Sequence, residues 1–195
     1  MPTITALRER RRGRIAVELD GSPWRELPVA VVVRAGLAQG RVLDRPAVRL
    51  LRREIRREEA LAVATRALRA RDLSERRLAE RLERAAVAPA AAAASLEALS
   101  GAGLVDDGRF AANRADALAD RGYGDAAIRH DLERQGVVPE LVEAALGALE
   151  GEVGRARQLV ERRGSGPKTA RYLASRGFGE DAVEAALGAD FANDP

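Results

Sequence analysis

The amino-acid sequence predicts a mainly α-helical protein built from tandem three-helix repeats stacked into an elongated curved array, with a small β-rich extension at its amino terminus. Aromatic residues make up only 3% of the 195 residues. A core must therefore be built from alanine, leucine and valine, which let helices pack closely. From residue 46 onward, apolar residues recur at helical spacing and no convincing strand pattern appears. A third observation is that the helical pattern repeats along the chain.

The first 45 residues differ from the rest and predict a small hairpin or three-stranded sheet. Asp20 and Gly21 form a strong reversal signal between two of the strand-like segments. Pro28 is expected in the first turn of a short helix over residues 29–35, which Gly36 ends. The strand-like segments are residues 4–7, 14–19 and 24–27.

A long and very basic amphipathic helix is predicted after Pro46. Between residues 50 and 68, apolar residues recur at helical spacing on one side of this helix. The opposite side carries the arginines Arg49, Arg52, Arg53, Arg56 and Arg57.

The net charge of +3 hides an uneven distribution. Residues 1–57 contain 14 arginines and 6 acidic residues, whereas the rest of the chain is net acidic. Clustered arginines raise the local potential that steers acidic partners. The amino-terminal third therefore predicts contact with a polyanion or an acidic protein, and a solvated face is the alternative reading.

The internal repeat predicts three consecutive helical units. Residues 142–147 and 183–188 both read VEAALG, a displacement of 41 residues, and residues 82–84 and 132–134 both read LER, a displacement of 50. Each unit has three helices and is too short to bury its apolar face alone, so neighbouring units are expected to stack. The predicted core leucines of the second helices are Leu82, Leu132 and Leu173.

These patterns predict five segments along the chain. The extension covers residues 1–45, the basic helix and repeat 1 cover 46–105, repeat 2 covers 106–150, repeat 3 covers 151–190, and a tail covers 191–195.

No combination of residues predicts an enzyme. The chain has no cysteine and a single histidine, His130, which excludes thiol nucleophiles, disulfides and two-histidine metal sites. Asp106 and Asp107 stand directly before a predicted helix, where carboxylates cap free backbone amides. From these residues we expect neither a metal nor another cofactor.

Phe110 and Phe178 are expected in the core because of their helical spacing.

Residues 164–169, which read GSGPKT, superficially resemble a phosphate-binding loop. That motif requires glycine directly before the lysine, and this chain has Pro167 there. The segment therefore predicts the start of a helix, with Pro167 in its first turn.

Nothing in the sequence indicates export or membrane insertion. The apolar stretch at residues 29–33 is far too short to cross a bilayer, and residues 1–14 are not followed by the apolar segment of a signal peptide. The absence of cysteine fits a reducing compartment. We expect a cytoplasmic protein without membrane contact.

Motifs in two of the repeats resemble those of the RecX family of recombination regulators. Residues 103–111 read GLVDDGRFA and residues 121–124 read RGYG, while the third repeat contains RYL at 171–173 and RGF at 176–178. The resemblance covers about residues 45–190. It implies an inhibitor or modulator of the RecA recombinase that lies in the helical groove of the RecA–DNA filament and interferes with ATP turnover, filament growth and strand exchange in recombination and DNA repair.

The chain departs from the family pattern in three places. Asp125, Ala126 and Ala127 stand where relatives often carry basic residues, and Asp116 and Leu118 stand where the preceding helix often carries arginine. In the first repeat, Ala85 and Ala86 replace a glycine-containing turn. The middle repeat is therefore less basic than the pattern implies.

The RecA nucleoprotein filament is the expected partner, with weak direct contact to DNA, and the chain is expected to be a monomer. The alternative is an independent, sequence-nonspecific nucleic-acid-binding protein in which residues 49–57 track phosphates. The expected partner-binding residues are Arg52, Arg53, Arg56, Arg57, Arg109, Arg121, Arg129, Lys168, Arg171, Tyr172 and Arg176.

Overall fold

The computed structural model describes residues 1–188 and is mainly helical, with a small antiparallel sheet at the amino terminus, as the sequence predicts. The strands are β1 (Ile4–Arg10), β2 (Arg14–Leu19) and β3 (Ser22–Pro28). The helices within this part of the chain are α1 (Val29–Arg34), α2 (Arg45–Ala70), α3 (Glu75–Arg84), α4 (Pro89–Gly101), α5 (Asp107–Asp120), α6 (Asp125–Gln135), α7 (Pro139–Gly147), α8 (Glu152–Arg163), α9 (Pro167–Ser175) and α10 (Glu180–Leu187).

The chain forms two compact units. The first comprises Met1–Arg71 and Leu78–Ala102, and the second comprises Asp72–Arg77 and the described residues from Gly103 to Gly188. Helix α3 therefore contributes residues to both units.

The sheet of the first unit is a meander in the order β1-β2-β3. Asp20 and Gly21 adopt φ values of 49° and 80° in the β2–β3 turn, the left-handed conformation that two-residue hairpin loops require. The expected position of Pro28 was wrong. It ends β3 in an extended conformation and precedes α1, because a residue without an N–H is tolerated at the end of an edge strand.

A single hydrophobic core joins the sheet, α1 and the start of α2. Ile4, Val17 and Leu27 of the sheet are at most 2% exposed. Val31 of α1 and Leu51 of α2 also belong to this core. The arginine-rich start of α2 is therefore held in place by the strands that precede it in the chain.

Helix α2 also buries a carboxylate. Glu54 is 4% exposed and accepts hydrogen bonds from Arg34 Nε at 3.0 Å and Arg53 Nε at 3.2 Å. Arg34 also donates to Glu58 at 2.6 Å, and this bond is the largest cause of the raised pKa of the Arg34 guanidinium. A buried charge is tolerated when it is paired and hydrogen-bonded, and helical spacing alone does not reveal this pairing.

The three helical repeats use the same turn between their second and third helices. Ala86, Gly136 and Gly177 adopt φ values of 55°, 86° and 80°. In each turn the residue that follows donates its N–H to the carbonyl of the core leucine five residues earlier, at 3.1–3.2 Å. These leucines, Leu82, Leu132 and Leu173, are all 0% exposed, as predicted.

Replacing Ala86 with glycine is expected to raise the free energy of unfolding by about 0.5–1 kcal/mol. A left-handed backbone costs an L-residue about 1–2 kcal/mol, and glycine avoids this cost while losing part of the gain to its more flexible unfolded chain. Urea denaturation followed by circular dichroism measures the change. The matched control Ala85→Gly should lower stability, because Ala85 does not have a positive φ and glycine there only makes the unfolded chain more flexible. An equal gain in both variants would contradict the assigned strain.

The second unit places both predicted core phenylalanines in the interior. Phe110 of α5 and Phe178, which follows α9, are each 6% exposed. Phe110 packs in a cluster with Ile128 and Leu132 of α6, and Phe178 packs with Leu173.

The second and third repeats meet at two glycine turns. Gly124 N–H donates to the Arg176 carbonyl at 2.9 Å, and Ala126 N–H donates to the Gly177 carbonyl at 3.1 Å. A Cβ atom on Gly124 would lie 2.3 Å from the backbone nitrogen of Phe178. Only glycine at this position lets the two turns approach so closely.

Arg155 of α8 stabilises the same contact between the second and third repeats. Its side chain is buried and donates Nε to the Glu150 carbonyl and Nη1 to the Tyr123 carbonyl, both at 2.9 Å. Its Nη2 forms an ion pair with the Asp125 carboxylate. Asp125, one of the departures from the family pattern, thus has a structural role here.

The predicted capping role is confirmed for Asp106, whereas Asp107 is the first residue of α5 and caps the start of α3 instead. Asp106 Oδ1 accepts from Arg109 N–H at 2.9 Å at the start of α5, and Asp107 Oδ1 accepts from Glu75 N–H at 2.7 Å. Pro167 is the first residue of α9, which confirms the predicted helix start.

Candidate partner-binding surfaces

Five side chains of the second unit form an alternating arrangement of arginine and tyrosine, here called the Arg–Tyr stack. The Arg176 guanidinium carbon lies 4.6 Å from the ring centre of Tyr123 and 5.2 Å from that of Tyr172. Arg163 lies 3.8 Å from the Tyr172 ring centre, and Arg121 lies 5.8 Å from that of Tyr123. The stack therefore joins residues of the second and third repeats.

The glycine turns explain why these residues meet. The bond from Gly124 N–H to the Arg176 carbonyl places Arg176 beside the chain at Tyr123. Gly122, with φ of 77°, turns the chain after α5, and a Cβ there would lie 3.9 Å from the Tyr172 hydroxyl. The local backbone thus brings both tyrosine rings close to Arg176.

The stack leaves its arginine donors available to a partner. Arg121 and Arg163 are exposed, and Arg176 is half-buried. None of these three arginines has an ion pair or a hydrogen bond to a carboxylate within residues 1–188. An arginine stacked on an aromatic ring keeps its planar N–H groups at the edge, where they bind carboxylates or phosphates with little loss of side-chain entropy.

The predicted residues of the second unit do not form one patch. Arg121, Tyr172 and Arg176 come together in the stack. Arg129 instead donates to both carboxylate oxygens of Glu143, at 2.9 and 3.0 Å, and this bonding lowers the pKa of that carboxyl. Arg109 Nη1 donates to the Gly103 carbonyl at 3.0 Å, which ties it to the chain before α5.

The two predicted basic residues of α9 lie on its exposed surface. Lys168 and Arg171 are exposed, and Arg171 Nε lies 3.3 Å from the Pro167 carbonyl. Arg171 also lines a groove of about 920 Å³ in the third repeat, together with Arg157 and Phe178.

Sequence reasoning missed Arg163 of the stack. It stands at the end of α8, before Gly164, and no helical spacing relates it to Tyr172 on the next helix. Tyr123 lies in the RGYG motif at residues 121–124, and the motif does not show that Arg176 contacts its ring. The remaining signal was the recurrence of an arginine directly before a glycine at the ends of α5 and α8, with Arg121 before Gly122 and Arg163 before Gly164.

The second surface lies in the first unit, along the arginine row of α2. Arg52, Arg53 and Arg56 are exposed, and Arg57 is half-buried. These residues and Arg49 line a groove of about 380 Å³. The facing wall is the start of α4, with Ala88, Ala90, Ala91 and Ala94.

Two further grooves continue this one along α2. A groove of about 500 Å³ shares Arg56 and Ala88 with the first, and a groove of about 330 Å³ shares Val63 and Ala85 with the second. Together they are called the arginine channel. Its arginines are Arg49, Arg52, Arg53, Arg56, Arg57, Arg66, Arg81 and Arg84.

Two negative results within residues 1–188 bear on other kinds of site. No group of three or more histidine, aspartate or glutamate side chains is arranged to hold a metal ion in this part of the chain. None of its helices combines the length and apolar character needed to cross a membrane.

The fold and its surfaces define a tandem three-helix-repeat protein with two arginine-rich faces. Residues 106–146 match the family model described as RecX, second three-helix domain. "Regulatory protein RecX" of Xanthomonas oryzae pv. oryzae (strain MAFF 311018) is 36% identical over 126 residues, which cover 60% of this chain and 79% of the relative. The protein of the same name from Stenotrophomonas maltophilia (strain R551-3) is also 36% identical over 126 residues, covering 60% of this chain and 77% of the relative. This chain belongs to the RecX family.

Two solved structures share the fold. A crystal structure of regulatory protein RecX superposes with a TM-score of 0.82 at 20% identity, covering 95% of this chain and 98% of the other. The crystal structure of RecX from Lactobacillus salivarius superposes with a TM-score of 0.60 at 15% identity, covering 68% of this chain and 94% of the other.

Proposed function

We propose that this chain is a non-enzymatic regulator that binds the RecA–DNA filament and inhibits RecA ATPase activity, filament growth and strand exchange. Family membership supports a regulatory role, because the curated relatives carry the name regulatory protein. The single observation that carries the binding surface is the Arg–Tyr stack.

The chemistry of the stack suits an acidic partner. Arg121, Arg163 and Arg176 add three positive charges that no described carboxylate neutralises. The tyrosine rings hold the guanidinium planes before the partner arrives, so less conformational entropy is lost on binding. A RecA–DNA filament presents both carboxylates and phosphates, which are the acceptors that arginine binds best.

Two predicted residues are less suited to this role. Arg129 is already bonded to Glu143, so binding a partner would first require breaking that contact. Arg109 is bonded to the Gly103 carbonyl, in the segment before its own helix. Lys168 and Arg171 remain part of the proposed surface, because both are exposed on α9 and neither is paired with a described carboxylate.

The test measures RecA ATPase on single-stranded DNA with increasing amounts of this chain. The double variant Arg163→Ala plus Arg176→Ala is expected to require about tenfold more protein for half-maximal inhibition, because removing interface arginines costs 1 kcal/mol or more. Circular dichroism of the variant should remain unchanged, since neither side chain belongs to the core.

Arg129→Ala is the matched control and should inhibit within about twofold of the parent, which corresponds to less than about 0.5 kcal/mol. Equal inhibition by the parent and the double variant would remove the stack from the interface. No effect of the parent chain on RecA ATPase would contradict the proposed function itself.

A further inference from the structure

We infer that the arginine channel is a binding site for one strand of a nucleic acid, which it holds by its phosphodiester backbone without requiring RecA. This goes beyond the proposed function, because the channel lies in the first unit and the Arg–Tyr stack lies in the second.

The charge of the channel favours a polyanion. Eight arginines line its three grooves, and Glu59 is the acidic residue among the lining side chains. Glu54 and Glu58 do not offset this charge, because Arg34 pairs with both of them from α1. Arg53 lies 3.2 Å from Glu54, whereas Arg49, Arg52 and Arg56 form no ion pair within the described chain.

The length of the channel favours a polymer over a small anion. From Arg49 to Arg66, α2 rises by about 26 Å at 1.5 Å per residue. A free phosphate needs the donors at one point only, whereas basic side chains distributed along a groove are the arrangement that follows a nucleic-acid backbone.

The opposite wall of the channel favours a single strand. Between α3 and α4 and in the first turns of α4, the lining residues are short and uncharged. They are Ala85, Ala86, Val87, Ala88, Ala90, Ala91 and Ala94. In the two grooves beside the start of α4, the arginines stand on the α2 side only, which provides donors for one backbone, whereas a duplex would need donors for two. Arg81 and Arg84 of α3 line the third groove, next to Arg66.

The lining residues also predict how the strand is bound. None of the side chains that line the three grooves is aromatic, so bases have no ring on which to stack. Binding should therefore be insensitive to sequence and strongly dependent on salt. Arg57 Nε is buried without an acceptor, and a phosphate oxygen would supply one if the side chain turned toward the strand.

The experiment measures fluorescence anisotropy of a labelled oligothymidylate of twenty nucleotides with the full chain and no RecA, between 50 and 200 mM salt. The parent should bind with a log–log salt slope of about −0.7 for each neutralised phosphate. Arg52→Gln plus Arg56→Gln should weaken binding at least tenfold at 50 mM salt and make the slope shallower by about 1.4.

Two further variants make the test specific. Arg11→Gln plus Arg12→Gln removes the same charge from the exposed β1–β2 turn of the same unit, and it should change binding by less than about twofold if the channel is the site. Ala90→Glu leaves every arginine in place and adds a carboxylate to the exposed part of the facing wall. It should also weaken binding at least tenfold.

If the turn variant weakens DNA binding as much as the channel variant does, the affinity depends on the total charge of the chain, and the channel is not the binding site. If millimolar pyrophosphate displaces the labelled strand as effectively as unlabelled strand does, the inference that the site binds a polymer is wrong. If a duplex competes as well as a single strand does, the inference that the site prefers one strand is wrong. The binding assay contains no RecA, so the two proposals can fail separately. A variant that loses DNA binding but still inhibits RecA ATPase contradicts nothing in the proposed function. A chain that binds DNA through the channel but does not inhibit RecA ATPase supports the channel and contradicts the proposed function.

Discussion

Arg155→Ala is expected to lower the free energy of unfolding of the second unit by about 3 kcal/mol. The arginine is 8% exposed and donates to Glu150, Tyr123 and Asp125, three residues outside its own helix. Its removal leaves two carbonyls and the half-buried Asp125 carboxylate without this donor. It also removes the guanidinium from its place 5.9 Å from the ring centre of Phe178.

Urea denaturation of the full chain, followed by circular dichroism, measures this loss. Arg157→Ala is the matched control, because Arg157 lies on the same helix with an exposed side chain, and its replacement should change stability by less than about 0.5 kcal/mol. Asp125→Asn should produce part of the Arg155→Ala loss, since it removes the charge of the acceptor but keeps its shape. Equal stability of Arg155→Ala and Arg157→Ala would show that the contact between the second and third repeats does not depend on the buried arginine.

Leu132→Asp is expected to unfold the second unit, with a cost above about 4 kcal/mol. Leu132 is 0% exposed and packs in the cluster of Phe110, Ile128 and Val142. The substitution removes a buried apolar side chain and places a carboxylate among apolar groups that cannot solvate it. Leu132→Ala should cost about 2–5 kcal/mol from the cavity alone.

The helical signal at 222 nm and the rate of limited proteolysis measure the result. Leu104→Asp serves as control, because Leu104 is 56% exposed and its replacement adds the same charge to the surface of the same unit. A Leu132→Asp variant as resistant to protease as the control would show that the leucine is not a core residue.

Local features of this protein were predictable because each depends on residues close together in the chain. The Asp20-Gly21 turn follows from residues that tolerate positive φ, and the Asp106 cap follows from a carboxylate placed before a helix. The repeat register was also readable. Displacements of 50 and 41 residues relate three turns that share one backbone conformation, although one of them has Ala86 in place of glycine.

The pairing of charged side chains was not predictable from spacing. Periodicity showed that the arginines of α2 lie opposite its apolar side, but it did not show that Glu54 is buried beneath Arg34. In the same way, Arg129 and Arg176 are both basic residues in family-like motifs, yet Arg129 is bonded to Glu143 and Arg176 contacts two tyrosine rings.

The sequence by itself determined the helices, their caps, the core leucines and the family, because these depend on local backbone preferences, on the spacing of apolar residues and on ordered motifs. Only the tertiary structure decided which arginines are free, which tyrosines they stack on, and that the alanine-rich start of α4 faces the arginines of α2. The physical reason is that helical periodicity states which side of a helix turns inward. The distances between side chains of different helices depend on how the turns between them bring their backbones together.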